Sequence, residues 1–480
     1  MVSYLWDLDR RAARYHLYPL VLGLLGLCVF SFWYAVPPNI PSLVPDSSSY
    51  LNFQAFRGAG YPLFLDAIRL FDRELIGIQY YQLGLLISSL CFLGYSVRCF
   101  TDSAIAGVLI VIGAGLHPLY IRYCFTVLSE PLFFSSLNVF VAFQLRRNLN
   151  SKFYWAATGA LLAWLVLIKG AAWALLCVPA VMLLNQIFQK NKPTSKPIFR
   201  NVVFLLTGFA IVTSSGMIYR YANHGTTATE SFMGNQLVGK FSLMSVDPQK
   251  TSYPVPIKYW QQELADTIEV KNKYFSDNWD YQFLFSLNYY DYLRFRQADK
   301  MLELSGSNLS RPDFQSRLAS ELLMLATREY LKDVAVNFYA LWTQGELQTP
   351  AFAAQYNDQL NITSELMPNS QSPYYLGESG QTAAYIIKPF LYFSFLLNIA
   401  YIFYGVRYWL RAKEIPSHIT PLFVIAVAIQ SYYLLVALLQ AGLVRYMMPI
   451  WPLLLLSTLI GATTLIEKFF ASAAPEQKAT

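Results

Sequence analysis

The sequence predicts an all-α protein that crosses a membrane about ten times and carries one mostly helical domain on the outward side. Three observations predict this. Of 480 residues, 55% are hydrophobic and 14% charged, against about 25% charged in soluble domains. Several apolar runs reach the roughly 17–25 residues that a helix needs to cross hydrocarbon. Segments of about 10 residues with alternating polarity, the mark of a membrane β-barrel, do not occur.

The first apolar run, Leu17–Tyr34, is longer than the roughly 7–15 residues of a signal core, and VPPNIPS after it has no small-x-small cleavage site. It reads as an uncleaved first span. Ten spans are expected in all, at about 17–36, 76–97, 104–120, 127–145, 153–169, 171–188, 201–219, 385–406, 420–439 and 447–466. Orientation follows from Lys and Arg, which stay cytoplasmic in short polar segments. Arg10, Arg11 and Arg14, then Arg146, Arg147 and Lys152, then QKNKPTSKPIFR and RYWLRAKEIPSH all fall on one side of a ten-span chain. Trp33, Tyr34, Tyr80 and Tyr81 fit an aromatic belt. The expected organisation is a membrane module over 1–220, an outward domain over 221–384 and closing spans over 385–480 with a cytoplasmic C-terminus.

Residues 221–380 stand apart by charge. They hold 12 Lys and Arg against 18 Asp and Glu, a net of −6, while the rest of the chain, 24 against 11, carries +13. Long translocated domains follow the positive-inside rule weakly, so this fits the topology. Within it, 316–342 has helical apolar spacing at Leu318, Leu322, Leu325 and Tyr330. Irregular backbone is expected at YPVP (253–256) and PNSQSPYY (368–375). The five cysteines, Cys28, Cys91, Cys99, Cys124 and Cys177, lie in or beside apolar segments and read as small buried side chains. Asn308 and Asn361 open glycosylation sequons on paper.

The first outer loop, 37–75, holds PDSSSYLNFQAFRGAGYPLFL (45–65). Asp46 is a lone acid just beyond the bilayer, on a side where ATP and nucleotide sugars are not normally supplied. An enzyme there needs a substrate activated otherwise, and a membrane-borne lipid phosphate is the natural one. A polyprenyl phosphate leaves as an anion and needs cationic partners more than a general acid. The attacking hydroxyl needs a base, which a carboxylate within hydrogen-bond reach can supply. Arg57, Arg122, Lys169 and Arg445 are cations at the outer ends of spans and are functional candidates by position.

Structural roles compete with each of these. Asp46 is a good N-cap for a helix starting near Ser47, and Glu130 can cap or orient the fourth span. Arg57, Arg122 and Arg445 can snorkel to headgroups. Asp66, Asp72, Arg69 and Arg73 look like the polar face of an interfacial helix. His117 and His224 have no partner at metal-ligand spacing.

The runs P-D-S-S-S-Y-L and R-G-A-G-Y-P-L-F-L resemble the first outer loop of GT-C glycosyltransferases. The closest group is the dolichyl-phosphate-mannose–protein mannosyltransferase-like family with its bacterial relatives. Asp46, Tyr50, Arg57, Gly60, Tyr61 and Pro62 match, and Ala59 stands where the family often has proline. SEPLFFSSLNVF (129–140) is similar to the segment opening the fourth span. YANHGTTATESFMGNQL (221–237) resembles the run after the seventh, with Gln236 inserted. RYMMPIWPLL (445–454) is similar to the last outer loop. Spans one to seven and the last are covered well, residues 240–380 poorly.

The resemblance implies inverting transfer of a sugar from a polyprenyl-phosphate donor to a hydroxyl of a glycan, lipid or protein. Asp46 and Glu130 would be the catalytic acids. Arg57, Lys169 and Arg445 would hold the donor phosphate, and Tyr50, Tyr61, Arg122, Asn235 and Tyr446 the substrates. Relatives with two adjacent acids in the loop are thought to involve a metal. Here Asp-Ser stands in their place, so no metal ligand is assigned and a divalent ion is left open. The expected setting is a bacterial inner membrane with the site facing the periplasm, or alternatively the endoplasmic reticulum. No nucleic-acid partner is expected. Two other readings stay open: a transporter or flippase of lipid-linked saccharides, and a polysaccharide polymerase or ligase.

Overall fold

The computed structural model describes residues 18–33, 39–44, 46–146, 148–188, 195–227, 233–274, 279–343, 377–412, 415, 419–440, 442 and 444–473. The basic N-terminal residues Arg10, Arg11 and Arg14, together with Tyr34, Arg147, the first half of QKNKPTSKPIFR, the segment PNSQSPYY and Asn361, lie outside the described residues. Among the described residues there is one isolated parallel bridge, Ser42 with Thr126, and the rest of the regular structure is helical.

The chain forms two compact units. One comprises Met1–Ala228, Phe393–Tyr432 and Met448–Thr480, and the other Thr229–Tyr392 and Tyr433–Met447. The first unit opens with α1 (Tyr18–Trp33), two short helices α2 (Ser47–Leu51) and α3 (Gly60–Arg69), and α4 (Ile78–Thr101). It continues with α5 (Ala104–Gly115), α6 (Pro118–Arg122), α7 (Glu130–Leu145), α8 (Lys152–Ile168), α9 (Cys177–Phe188) and α10 (Ser195–His224). The Ser103 hydroxyl caps α5 by accepting from Ala106 N at 3.1 Å, and Ser151 caps α8 from Tyr154 N at 3.3 Å. Helices α8 and α10 touch backbone to backbone. A Cβ on Gly159 would sit 1.9 Å from Leu205 O, and one on Gly208 would sit 1.9 Å from Ala156 O.

Each expected span falls on helix, but fewer are long. Five helices are long and apolar enough to cross a membrane: Ile78–Thr101, Gly170–Ile187, Pro197–His224, Ile387–Arg411 and Thr420–Leu439. A sixth candidate is the pair Ala104–Gly115 and Leu119–Phe125, bent by 67°. Tyr18–Phe32, Lys152–Ile168 and Met448–Ala462 are apolar but shorter. Helix α7 has 16 residues and is buried on nearly every side, as expected for a helix apolar all round and enclosed by protein.

The second unit holds α11 (Met233–Lys240), α12 (Pro254–Glu263), α13 (Ala265–Tyr274), α14 (Trp279–Asp291), α15 (Ala298–Ser305), α16 (Arg311–Leu325) and α17 (Thr327–Thr343). The expected single helix over 316–342 is broken at Ala326 into α16 and α17. Leu318, Leu322 and Tyr330 are buried, but Leu325 is 37% exposed because the break turns it outward. YPVP is not irregular: Pro254 opens α12, where its missing N–H costs nothing. Gly234 is required where α11 crosses α16, since a Cβ there would lie 2.5 Å from Ser316 Cα.

Candidate active site

The loop between α1 and α4 is tied to the segment before α7 by backbone. Ser42 N donates to Phe125 O at 2.7 Å, and Val127 N donates to Ser42 O at 3.1 Å. Ser47 adds its hydroxyl to Val127 O at 2.9 Å. The sequence R-G-A-G then runs against the end of α8. A Cβ on Gly58 would lie 2.3 Å from Leu167 O, and one on Gly60 would lie 2.8 Å from Ile168 N. Only glycine allows this approach, and it carries Arg57 to the region of Lys169, the C-cap of α8. Arg220 on α10 holds the loop from behind, donating to Ala55 O at 2.5 Å and to Arg57 O. Phe53 takes a positive φ of 40°, rare for a bulky residue. It is held by its ring stack on Tyr219 at 5.1 Å.

These contacts assemble one hydrogen-bonded chain. Arg57 is its hub. Its Nη2 donates to Asp46 Oδ1 at 2.6 Å, its Nε to Ser49 Oγ at 2.8 Å and its Nη1 to the Tyr50 hydroxyl at 3.2 Å. Its guanidinium also lies 4.3 Å from the Tyr50 ring centre, a cation–π contact. The Tyr50 and Ser129 hydroxyls are 2.9 Å apart, and Ser129 Oγ donates to Glu130 Oε2 at 3.4 Å. Glu130 Oε1 accepts from Lys169 Nζ at 3.1 Å. Ser129 has one hydrogen and directs it to Glu130, so Tyr50 donates to Ser129 and accepts from Arg57.

The chain joins two ion pairs of different exposure. Asp46 is 35% exposed and Arg57 18%, whereas Glu130 is 4% exposed and Lys169 12%. Burial pushes the Tyr50 hydroxyl up to about 12, opposed by the Arg57 charge, so Tyr50 stays a neutral donor at physiological pH. A part-exposed carboxylate at one end of such a chain can act as a general base. The cations beside it suit a phosphate.

The Asp46 side chain does not cap α2, contrary to the helix-cap reading, because its carboxylate turns to Arg57. Arg57 is engaged in this network through all three of its guanidinium nitrogens. Tyr61 is fully buried, and its hydroxyl donates to Gln82 Oε1 at 2.9 Å. Burial raises its pKa well above the ordinary value. Gln82 in turn donates to Cys124 O and Thr126 O at 2.9 and 3.1 Å, so Tyr61 braces the loop. Arg122 is half-buried at the end of α6.

Asn235 and Tyr446 belong to the second unit, and the Arg445 side chain lies outside the described residues. The Asn235 amide is engaged internally, donating to Arg294 O at 3.1 Å and Gln315 Oε1 at 3.2 Å and accepting from Arg294 Nε at 3.1 Å. The interfacial face is also more specific than its sequence pattern. Asp66 pairs with Arg69 at 2.7 Å and accepts from the Tyr219 hydroxyl at 2.5 Å, while Asp72 accepts from Gly77 N at 2.6 Å.

Ser49, Ser129 and Arg220 were not foreseen. A serine beside each acid was visible in D-S-S-S and S-E-P, but which hydroxyl bridges depends on tertiary contact. Among the described residues no cluster of three His, Cys, Asp or Glu side chains could hold a metal ion. Protein-family models, curated proteins and solved structures give no match to this chain.

Proposed function

We propose that this chain is a ten-span GT-C-like glycosyltransferase of the membrane, moving a sugar from a polyprenyl-phosphate donor to a hydroxyl acceptor at its outward face. The observation that carries the reading is the part-exposed Asp46 carboxylate, fixed by Arg57 at the open end of a chain that ends in the buried Glu130–Lys169 pair. The acceptor oxygen forms the new bond to the anomeric carbon while its proton passes to Asp46. The anomeric carbon–oxygen bond to phosphate breaks, and polyprenyl phosphate leaves with that electron pair. Arg57 and Lys169 stabilise the leaving anion. Glu130 keeps the Lys169 ammonium in place, and Tyr50 orients the Arg57 fork. A bacterial inner membrane with the loop facing the periplasm is the setting this topology suits.

The test is a paired assay of wild type and Asp46→Asn in membranes, with a panel of radiolabelled polyprenyl-phosphate sugars. The expected result is transfer by wild type and a loss of roughly 100-fold or more in the variant at equal expression, the scale of a lost general base. Transfer unaffected by Asp46→Asn sinks Asp46 as the base. A flippase of lipid-linked saccharides is the second reading, favoured by the 67° break after α5, since broken helices line transport sites. Lipid-linked label that crosses the bilayer without changing carrier would support it.

A further inference from the structure

Helix α17 is pinned to the ends of two membrane-length helices by contacts that all lie within the second unit. The Tyr330 hydroxyl donates to Leu438 O at 2.7 Å, and the Trp342 ring meets the Tyr433 ring edge-on at 5.0 Å. Leu438 and Tyr433 belong to the last two turns of Thr420–Leu439. Gly442 N, just past that helix, donates to Asn337 Oδ1 at 2.7 Å. The Tyr339 hydroxyl lies 3.5 Å from that of Tyr392, in the second turn of Ile387–Arg411. Tyr330 and Trp342 are about 18 Å apart along α17, but their partners are only about 8 Å apart along the span. Helix α17 therefore runs across the end of Thr420–Leu439 at a steep angle. A helix held there lies at the depth where hydrocarbon gives way to headgroups.

The uncovered side of α17 has the composition that this depth asks for. Tyr330, Val334, Val336 and Leu341 are buried. Arg328, Leu331, Lys332, Ala335, Phe338 and Tyr339, spaced i, i+3, i+4, i+7, i+10 and i+11, share another side. The first three are exposed and the last three half-buried. Glu329 lies beyond Lys332, on the side away from Leu331. A helix facing water on this side would carry a polar stripe. This one is basic only at its start, and Leu331 within it is 57% exposed. Its aromatic end continues into Tyr392 and into Trp279, whose ring meets that of Tyr339 edge-on at 5.6 Å, and both are exposed. Tyrosine and tryptophan concentrate at the membrane–water interface, and lysine and arginine there are drawn to anionic headgroups.

We infer that this stripe is a membrane-binding surface. The side chains of Leu331 and Phe338 enter the boundary between headgroups and acyl chains, and Arg328 and Lys332 reach the phosphates of anionic lipids. The occupant is the bilayer itself, because the contacts of Tyr330, Tyr339 and Trp342 fix α17 at the ends of helices that could cross it. The inference rests on the membrane reading of those helices and asks nothing of the transfer chemistry.

The test is hydroxyl-radical footprinting of the full chain in nanodiscs of phosphatidylcholine with and without phosphatidylglycerol, read residue by residue by mass spectrometry. Val255, in the same unit and also 57% exposed, is the reference. After correction for intrinsic reactivity and exposure, Leu331 and Phe338 are expected to be oxidised severalfold more slowly than Val255. Arg328→Gln combined with Lys332→Gln changes two exposed side chains. In discs rich in phosphatidylglycerol it is expected to raise the oxidation of Leu331 by about fivefold or more, the scale of one charge near an anionic surface. The rate at Val255 and the unfolding midpoint should not move. Leu331 and Phe338 oxidised as fast as Val255 overturns the inference. So does a folded double variant that keeps the wild-type protection in phosphatidylglycerol. Protection present in discs holding two copies of the chain and lost in discs holding one would assign the surface to a second copy, and overturns it too.

Discussion

The molecule contains two ionic networks built on opposite plans. In the first unit, Asp46 and Arg57 form a part-exposed pair linked through the Tyr50 and Ser129 hydroxyls to the buried pair Glu130 and Lys169. In the second, Lys240 and Asp333 form a buried pair closed off by Asn337. The first network ends in a part-exposed carboxylate, and the second is enclosed. Burial decides the energetics. A buried ion pair is costly to break, because it leaves a desolvated charge, whereas an exposed pair contributes little to folding. Chemistry at Asp46 is therefore separable from stability, and chemistry at Lys240 is not.

The strongest way to break the comparison is Lys240→Met. It strands Asp333 and should destabilise the second unit by about 3–5 kcal/mol, read by denaturant unfolding. Adding Asp333→Leu should recover part of that loss, and no recovery would mean that the pair is not the source of the cost. Next comes pH. The Tyr50 pKa is raised above its ordinary value to about 12, so the unfolded chain ionises first. Stability from this group is complete below pH about 10 and falls as pH rises towards 12, by roughly 3 kcal/mol at most. Tyr50→Phe should remove that share of the alkaline slope. An unchanged difference curve would show that the hydroxyl is not buried as described.

Gly58→Ala sharpens the comparison by moving the loop without touching a charge. Its Cβ would meet Leu167 O at 2.3 Å, and overpacking of this kind costs about 1–3 kcal/mol. Thermal unfolding and transfer activity should fall together. The smallest expected effect is Asp46→Asn on folding, about 1 kcal/mol for a part-exposed pair. A larger loss in the same unfolding assay would mean that Asp46 is structural and would weaken its assignment as a base.

The helices were legible because apolar runs are a one-dimensional signal. Those at 78–101 and 420–439 follow their apolar stretches closely. Which helices are long enough to span was less legible, since α7 has the composition of a span but is a short helix enclosed by others. The acid and the arginine of the first loop could be named from PDSSSYL and RGAGYP. The serines between them could not, because a hydroxyl's partner is chosen by packing. The buried ion pair of the second unit carries no sequence motif. Lys240 and Asp333 are far apart along the chain, and only the packing of α11 and α17 makes them neighbours.

The direction of the hydroxyls between Arg57 and Glu130 has one more consequence. Each O–H points the same way, so their dipoles add, and the string has a head at Arg57 and a tail at Glu130. A proton arriving on Glu130 would make that carboxyl a donor and turn Ser129 and then Tyr50 around. Arg57 would then face the hydrogen of Tyr50 instead of its lone pair and would lean further on Asp46. A change of charge at the buried end would in that case reach Arg57 through two rotating hydroxyls.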